Sequence, residues 1–159
     1  MKRDILVSID PSSHNSGIAL LTLSGEFITT FPLVSKASLW SNRFLEHHQQ
    51  FAAKIAPYVD RVATICYEKN VRSSVALLAQ LGALAICLPG ALINDATGVC
   101  PQSWKKYWRM QTNIKKASPK GLEDLRLLGG IYANMNISED ESDALLIALC
   151  YLDKVNNHE

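Results

Sequence analysis

The chain has 159 residues, a formal net charge of +1 at pH 7, 48% hydrophobic residues and 19% charged residues. This composition predicts a single globular domain over residues 1–159 and excludes a disordered chain. No apolar run approaches the ~20 residues of a membrane-spanning helix, and the N-terminus lacks the pattern of a signal peptide. The cysteines are far apart in apolar sequence, which favours buried free thiols over disulfides or a zinc site. We therefore expect an intracellular, cytoplasmic protein that is not attached to a membrane.

The first third of the chain has the pattern of an antiparallel meander. Residues Ile5–Asp10 form a nearly continuous apolar run, as in a central strand that is covered on both faces. Turn residues follow, and then come predicted strands at 18–23 and 26–31, joined by Ser24-Gly25. Pro32 is predicted to end the third strand.

Helices and strands alternate after the meander. Apolar spacing predicts a helix over 41–56, with His47 and His48 on its surface. Residues Val62–Glu68 are a fourth predicted strand, and 91–94 a fifth. Between them, a helix capped by Ser73 or Ser74 runs to Cys87. The helix from Ser74 to Cys87 is so apolar that we expect more than one of its faces to be covered, one by the sheet and another by a second subunit.

The C-terminal third is predicted to be mainly helical. Pro101 opens a helix that continues to residue 110, and a basic loop over 112–117 follows. Ser118-Pro119 restarts a helix that ends at Gly129-Gly130. Ser138 then caps the last helix, with Glu141 in the position that completes a capping box. The order of strands and helices predicts an α/β layered domain.

Four carboxylates lie at the ends of these predicted elements. Asp10 and Glu68 each end an apolar strand, and Asp140 and Asp143 are three residues apart on one face of the last helix. Their oxygen atoms suit Mg²⁺ or Mn²⁺. Taken singly, each acid also has a structural explanation: a turn cap for Asp10, a surface charge for Glu68 and a helix-dipole contact for the other two. Only the combination favours a metal site.

Charge is segregated along the C-terminal part of the chain. Between Pro101 and Arg126 there are seven Lys or Arg residues and two acids, and from Leu127 onward there are one Lys and six acids. This distribution fits a basic binding face beside an acidic metal site, although solvated helix faces would give the same counts. Trp104 and Trp108 share one helix face that we expect to pack in the core. The basic residues of that helix would then face outward, towards phosphates.

Three motifs together resemble the RuvC family of Holliday-junction resolvases. They are Ile9-Asp10-Pro11 with Gly17 a short turn later, Glu68 followed by Lys69-Asn70, and Asp140-Glu141-Ser142-Asp143-Ala144-Leu145. Their order and approximate spacing follow the family over nearly the whole chain. The resemblance implies an RNase H-like nuclease fold of the retroviral-integrase type. Its mixed five-stranded sheet would have three antiparallel strands first and parallel strands after them, flanked by helices.

The resemblance also implies a function and roles for residues. Asp10, Glu68, Asp140 and Asp143 would be the catalytic acids and would hold two Mg²⁺ or Mn²⁺ ions, with Asp10 bridging them. The resemblance implies that the protein cuts four-way junctions by two-metal-ion hydrolysis, in paired nicks that leave 5′-phosphate and 3′-hydroxyl ends. A homodimer would form through the helix from Ser74 to Cys87. The basic residues implied to contact branched DNA are Lys105, Lys106, Arg109, Lys116 and Lys120.

The chain departs from the family at two positions. Ser12 stands where bacterial members usually have glycine, and Val71 stands near the position of an aromatic residue that wedges the junction open in some members. These changes and the short chain suggest a phage or mobile-element version. Two alternatives stay open: an RNase H-like nuclease that acts on other branched DNA or on RNA–DNA hybrids, and a non-catalytic nucleic-acid-binding module whose acids are structural.

Overall fold

The structure, a computed structural model, describes residues 2–69, 75–112 and 119–157, without the side chains of residues 119–123, 125 and 126. The strands are β1 (Ile5–Asp10), β2 (Asn15–Thr22), β3 (Phe27–Val34), β4 (Val62–Glu68) and β5 (Gly98–Val99). The helices are α1 (Trp40–Ile55), α2 (Val75–Ala85), α3 (Pro101–Thr112), α4 (Pro119–Ala133) and α5 (Glu139–Asn156). Among the described residues, no helix combines the length and hydrophobicity needed to cross a membrane.

The five strands form one mixed sheet in the order β3-β2-β1-β4-β5. Strands β1, β2 and β3 pair antiparallel, whereas β4 runs parallel to β1 and β5 runs parallel to β4. The predicted arrangement of antiparallel strands followed by parallel strands is therefore confirmed. Strand β1 lies at the centre of the sheet, and its apolar residues are buried on both faces, as the continuous apolar run predicted.

The two faces of the sheet carry two separate hydrophobic cores. Ile5, Val7 and Ile9 of β1 pack in the core that α1 and α2 contribute to, whereas Leu6 packs on the side of α5. Side chains alternate between faces along a strand. Asp10, which is in phase with Leu6, is therefore directed towards α5.

Helix α5 begins with the predicted capping box. The Ser138 hydroxyl accepts a hydrogen bond from the Glu141 amide, and the Glu141 carboxylate accepts one from the Ser138 amide. The other carboxylate oxygen of Glu141 accepts a hydrogen bond from the Thr30 hydroxyl of β3, with 2.9 Å between the oxygen atoms. Glu141 therefore ties the first turn of α5 to the sheet, which agrees with its exclusion from the predicted site.

Glycine allows α5 to approach the sheet closely. A Cβ atom on Gly17 of β2 would overlap the backbone carbonyl of Asp140. Gly129 of α4 makes a similar close contact with Ser142 of α5. Helix α4 continues through Gly129 and Gly130 to Ala133, so the predicted helix end at these glycines is wrong. Gly129 allows the close packing of α4 on α5.

Three predicted strand boundaries are also wrong. Strand β2 begins at Asn15, within the predicted turn, and not at residue 18. Strand β3 continues through Pro32 to Val34, because β3 is an edge strand, where a residue without an amide donor is tolerated. Of the predicted fifth strand at 91–94, Leu92 forms an isolated bridge with Thr64, whereas β5 itself is Gly98–Val99. The capping serines predicted for α2 and residues 113–117 of the predicted basic loop lie outside the described residues.

All four cysteines are free, as predicted. Cys66 and Cys150 are buried, and Cys87 and Cys100 are half-buried. Burial raises the pKa of the Cys66 thiol to about 12, which keeps it in the unreactive protonated form.

The close contact at Gly17 gives a test of the fold. We expect Gly17→Ala to lower the free energy of unfolding by about 1–3 kcal/mol, because α5 must move away from β2 to accommodate the methyl group. Gly82→Ala is a matched control, since a Cβ there meets no atom within 4 Å and lies in helix α2. Denaturant unfolding of both variants measures the difference, and a Gly17→Ala protein as stable as Gly82→Ala would contradict the packing described.

Candidate functional site

Asp10 and Glu68 lie next to each other at one edge of the sheet. Strands β1 and β4 are parallel, and Ile9 pairs with Tyr67. The next residues along the two strands are Asp10 and Glu68, at the carboxyl ends. Glu68 is in phase with Cys66, which packs on the side of α5, so both carboxylates are directed to the same face of the sheet.

Helix α5 brings the second pair of acids to the same edge. Asp10 pairs across β1 and β2 with Gly17, and the carbonyl of Asp140 lies against that glycine. Asp143 follows one turn later on the same helix face. The packing of α5 on Gly17 is therefore what places the Asp140 turn beside Asp10.

The electrostatics of Asp10 reflect this grouping. Its pKa is raised well above the ordinary value of 3.8, first by burial and then by the negative charges of Glu68, Asp143 and Asp140. The positive charge of Lys105 opposes the shift. The structure therefore brings the four sequence-predicted carboxylates into one electrostatic environment.

The donor set fits a divalent cation chemically. All four groups offer carboxylate oxygens, the ligands that Mg²⁺ and Mn²⁺ prefer, and the excess negative charge around Asp10 is of the sign that a cation would neutralise. Within residues 2–69, 75–112 and 119–157, no group of three or more His, Cys, Asp or Glu side chains is arranged to hold a metal ion.

Trp104 of α3 holds Glu68. Its indole Nε1 donates a hydrogen bond to Glu68 Oε2 over 2.8 Å, and the side chain is only 1% exposed. The predicted core packing of Trp104 and Trp108 is confirmed. The hydrogen bond to Glu68 was not predicted from the sequence, although a buried indole N–H needs an acceptor and a carboxylate can supply one.

The basic residues of α3 differ in their exposure to solvent and in their distance from the acids. The Lys105 ammonium lies 4.9 Å from the centre of the Trp104 ring, which places its charge near the acids. Lys106 is exposed and Arg109 is half-buried. Lys116 lies outside the described residues, and Lys120 is in α4 with its side chain outside the description.

A buried polar network supports the loop that follows Asp10. His47 of α1 is fully buried, so its predicted surface position is wrong. Its Nε2 is 3.0 Å from the His14 carbonyl, and its Nδ1 is 2.6 Å from the Gln80 amide nitrogen of α2. Gln80 also donates to the Ser16 hydroxyl, which in turn hydrogen-bonds both backbone groups of Ser12. The network therefore fixes the loop against two helices.

The raised pKa of Asp10 predicts a pH effect on metal-free stability. An acid with a raised folded-state pKa stabilises the fold below its ordinary pKa, and this contribution is lost as the pH rises through the folded-state pKa. At pH 7 and in EDTA, we therefore expect Asp10→Asn to melt a few degrees above the unmodified protein, with a smaller difference near pH 4.

Asp60→Asn is the control for this measurement, because Asp60 is exposed just before the start of β4, at the opposite end of that strand from Glu68. It should show no such gain. If Asp10→Asn melted at pH 7 at the same temperature as the unmodified protein, or below it, the proposed repulsion between Asp10 and the neighbouring acids would be contradicted.

The comparisons with known proteins bear on the fold. No protein-family model matches the sequence, and no curated protein matches it either. Solved structures that are similar in three dimensions include Thermus thermophilus RuvC and T. thermophilus RuvC in complex with Holliday junction substrate. In each case the TM-score is 0.66 at 14% sequence identity, with 96% of both chains covered. The chain therefore has the RNase H-like fold of the RuvC resolvases, as its motifs predicted.

Proposed function

We propose that this protein is a metal-dependent, structure-selective endonuclease that resolves four-way DNA junctions by paired nicks. The convergence of Asp10, Glu68, Asp140 and Asp143 at one sheet edge carries the proposal. The fold supports it, because a solved structure with this architecture is of RuvC in complex with Holliday junction substrate. Four-way junctions are therefore the first substrate to test.

The four carboxylates would hold the Mg²⁺ or Mn²⁺ ions. Two divalent ions bound there would activate the attacking water, neutralise the scissile phosphate and stabilise the leaving 3′-oxygen. The protein's own contribution is to present carboxylates on two strand ends and a helix start, which are rigid supports. Trp104 orients Glu68 by its hydrogen bond. The expected products carry 5′-phosphate and 3′-hydroxyl ends.

The basic residues complete the proposed substrate site. Lys105 lies at the acids and adds a positive charge that would attract the phosphate backbone into the site. Lys106 is exposed one position further along α3 and is available to a neighbouring phosphate. Arg109, Lys116 and Lys120 belong to the same proposed DNA-binding surface on the strength of the sequence.

A homodimer would place two such sites on one junction. Helix α2 buries Leu81 and Leu84 in the core that it shares with α1 and the sheet, whereas Val75, Leu78 and, just after the helix, Ile86 are 84%, 55% and 78% exposed. Their spacing puts these three residues on one outward side, where a second copy would bury them. In a symmetric dimer, the two sites would cut two strands at symmetry-related positions. We propose that the dimer acts inside the cell, in the cytoplasm.

Cleavage of a synthetic four-way junction tests the activity. With Mg²⁺ or Mn²⁺ we expect paired nicks, which EDTA abolishes and which Asp10→Asn slows by more than about 100-fold, because the variant loses a metal-binding carboxylate. Asp60→Asn should cut normally. A linear duplex and an RNA–DNA hybrid are tested in parallel as comparison substrates.

Other results of the cleavage experiment would point to a different function. Preferential cutting of the hybrid or of a simple fork would support the proposed metal site but would show that the substrate is not a four-way junction. Binding that survives chelation, is unchanged in Asp10→Asn and leads to no cleavage would show that the acids are structural.

Light scattering tests the dimer. We expect the mass of two chains at micromolar concentration, and we expect Leu78→Glu or Ile86→Glu to weaken association at least tenfold or so, because each would bury an unpaired charge. Leu45→Glu on α1, where Leu45 is 57% exposed, is the matched control and should remain dimeric. A monomeric unmodified protein would contradict the proposed interface.

A further inference from the structure

A groove opens beside the loop that follows Asp10. Its volume is about 370 Å³, within the ~300–1,000 Å³ range of sites for small organic groups. Pro11, Ser12 and Ser13 form one wall, and residues of α1 and the first turns of α2 form the others. Three residues of chain span at most ~11 Å, so Ser13 lies within about that distance of the Asp10 backbone.

An exposed indole lines this groove. Trp40 is 56% exposed, whereas the other two tryptophans, Trp104 and Trp108, are 1% and 4% exposed. The Trp40 ring rests on Phe44, with 5.3 Å between ring centres, and Phe44 is itself only 8% exposed. The indole is thus supported from behind, while more than half of its surface stays in contact with solvent. Such a ring is a suitable platform for stacking a nucleobase.

A guanidinium group lies on the same groove. Arg43 Nη1 donates hydrogen bonds to the carbonyls of Ala37 and Ser38 at 2.9 Å and 2.8 Å, which hold the group in place. Its Nε is buried and has no hydrogen-bond partner in the part of the chain that the structure describes. Among those same residues, no carboxylate forms a salt bridge with Arg43. The groove therefore carries a positive charge beside the aromatic ring.

The wall opposite Trp40 is already fixed. Ser12 is hydrogen-bonded to Ser16, and the Gln80 and His47 side chains hold Ser16 and His14 in turn. A ligand that enters the groove does not have to order this loop. Binding there would consequently avoid much of the conformational entropy cost of ordering a flexible wall.

We propose that this groove binds one unpaired nucleotide of the DNA strand that enters the acid site, with its base stacked on Trp40 and its phosphate facing Arg43. The proposal rests on the proposed function for its substrate class. A base paired inside a duplex is not free to stack there, whereas a base at a branch point is exposed at lower cost. The groove would thus favour substrates with an unpaired nucleotide close to the bond that is cut.

Tryptophan fluorescence of the full chain in EDTA tests the proposal without requiring cleavage. The probes are a short oligothymidylate and an abasic strand of equal length, which has the same phosphates without bases. We expect the oligothymidylate to quench Trp40 emission and to bind about tenfold or more tightly than the abasic strand. For the variants that lack Trp40, the affinities are measured from the fluorescence anisotropy of dye-labelled strands. Trp40→Ala should remove the difference in affinity, Trp40→Phe should retain part of it, and Leu45→Ala on the same helix should leave it unchanged.

The outcomes separate this proposal from the nuclease proposal. Equal binding of the two strands, or an unchanged preference in Trp40→Ala with a normal melting temperature, would overturn the nucleotide site. Junction cleavage that persists in Trp40→Ala at the normal rate would overturn it as well, while leaving the nuclease intact. A base-dependent Trp40 signal in a protein that cuts no junction would support the site and reject the resolvase.

Discussion

Helix α5 packs against the sheet through the contact between Gly17 and the Asp140 carbonyl, and this contact positions the acid site. Gly17 pairs with Asp10 on the central strand, so the close approach of α5 to this glycine sets the distance from the helix start to the first acid. The parallel pairing of β1 and β4 then adds Glu68. Any larger side chain at position 17 would separate the two halves of the acid cluster. The absence of a side chain at position 17 is therefore what allows the first turn of α5 to lie close to Asp10.

Grouping these carboxylates works against stability in the absence of a cation. Burial and three negative neighbours raise the pKa of Asp10, so ionising it costs folding free energy. The surroundings limit the cost: Lys105 supplies a positive charge, Trp104 hydrogen-bonds Glu68, and the capping box with its link to Thr30 fixes the α5 start. A divalent cation bound at the proposed metal site would relieve this repulsion, and metal binding would then stabilise the fold.

Helix α2 connects several parts of the molecule. Its buried side packs in the core that it shares with α1 and the sheet, its exposed apolar side is available to a second copy, and its first turn lines the groove beside Trp40. Gln80 projects from the same helix into the network that holds the loop after Asp10. The proposed dimer interface, the proposed nucleotide groove and the acid site are thus joined through one rigid element.

Elements whose signals are local could be predicted from the amino-acid pattern. The apolar run Val62–Glu68 became a strand with those same boundaries, and Ser138 and Glu141 formed the predicted capping box, because such patterns depend on neighbouring residues. Tertiary structure decided what depends on distant partners. Pro32 lies in a strand because β3 is at the edge of the sheet, His47 is buried because Gln80 and the His14 carbonyl satisfy it, and Trp104 reaches Glu68 across 36 positions. Hydrogen bonds and close contacts between residues that are distant in the chain produce no periodic pattern in the sequence. They could therefore be identified only in the folded structure.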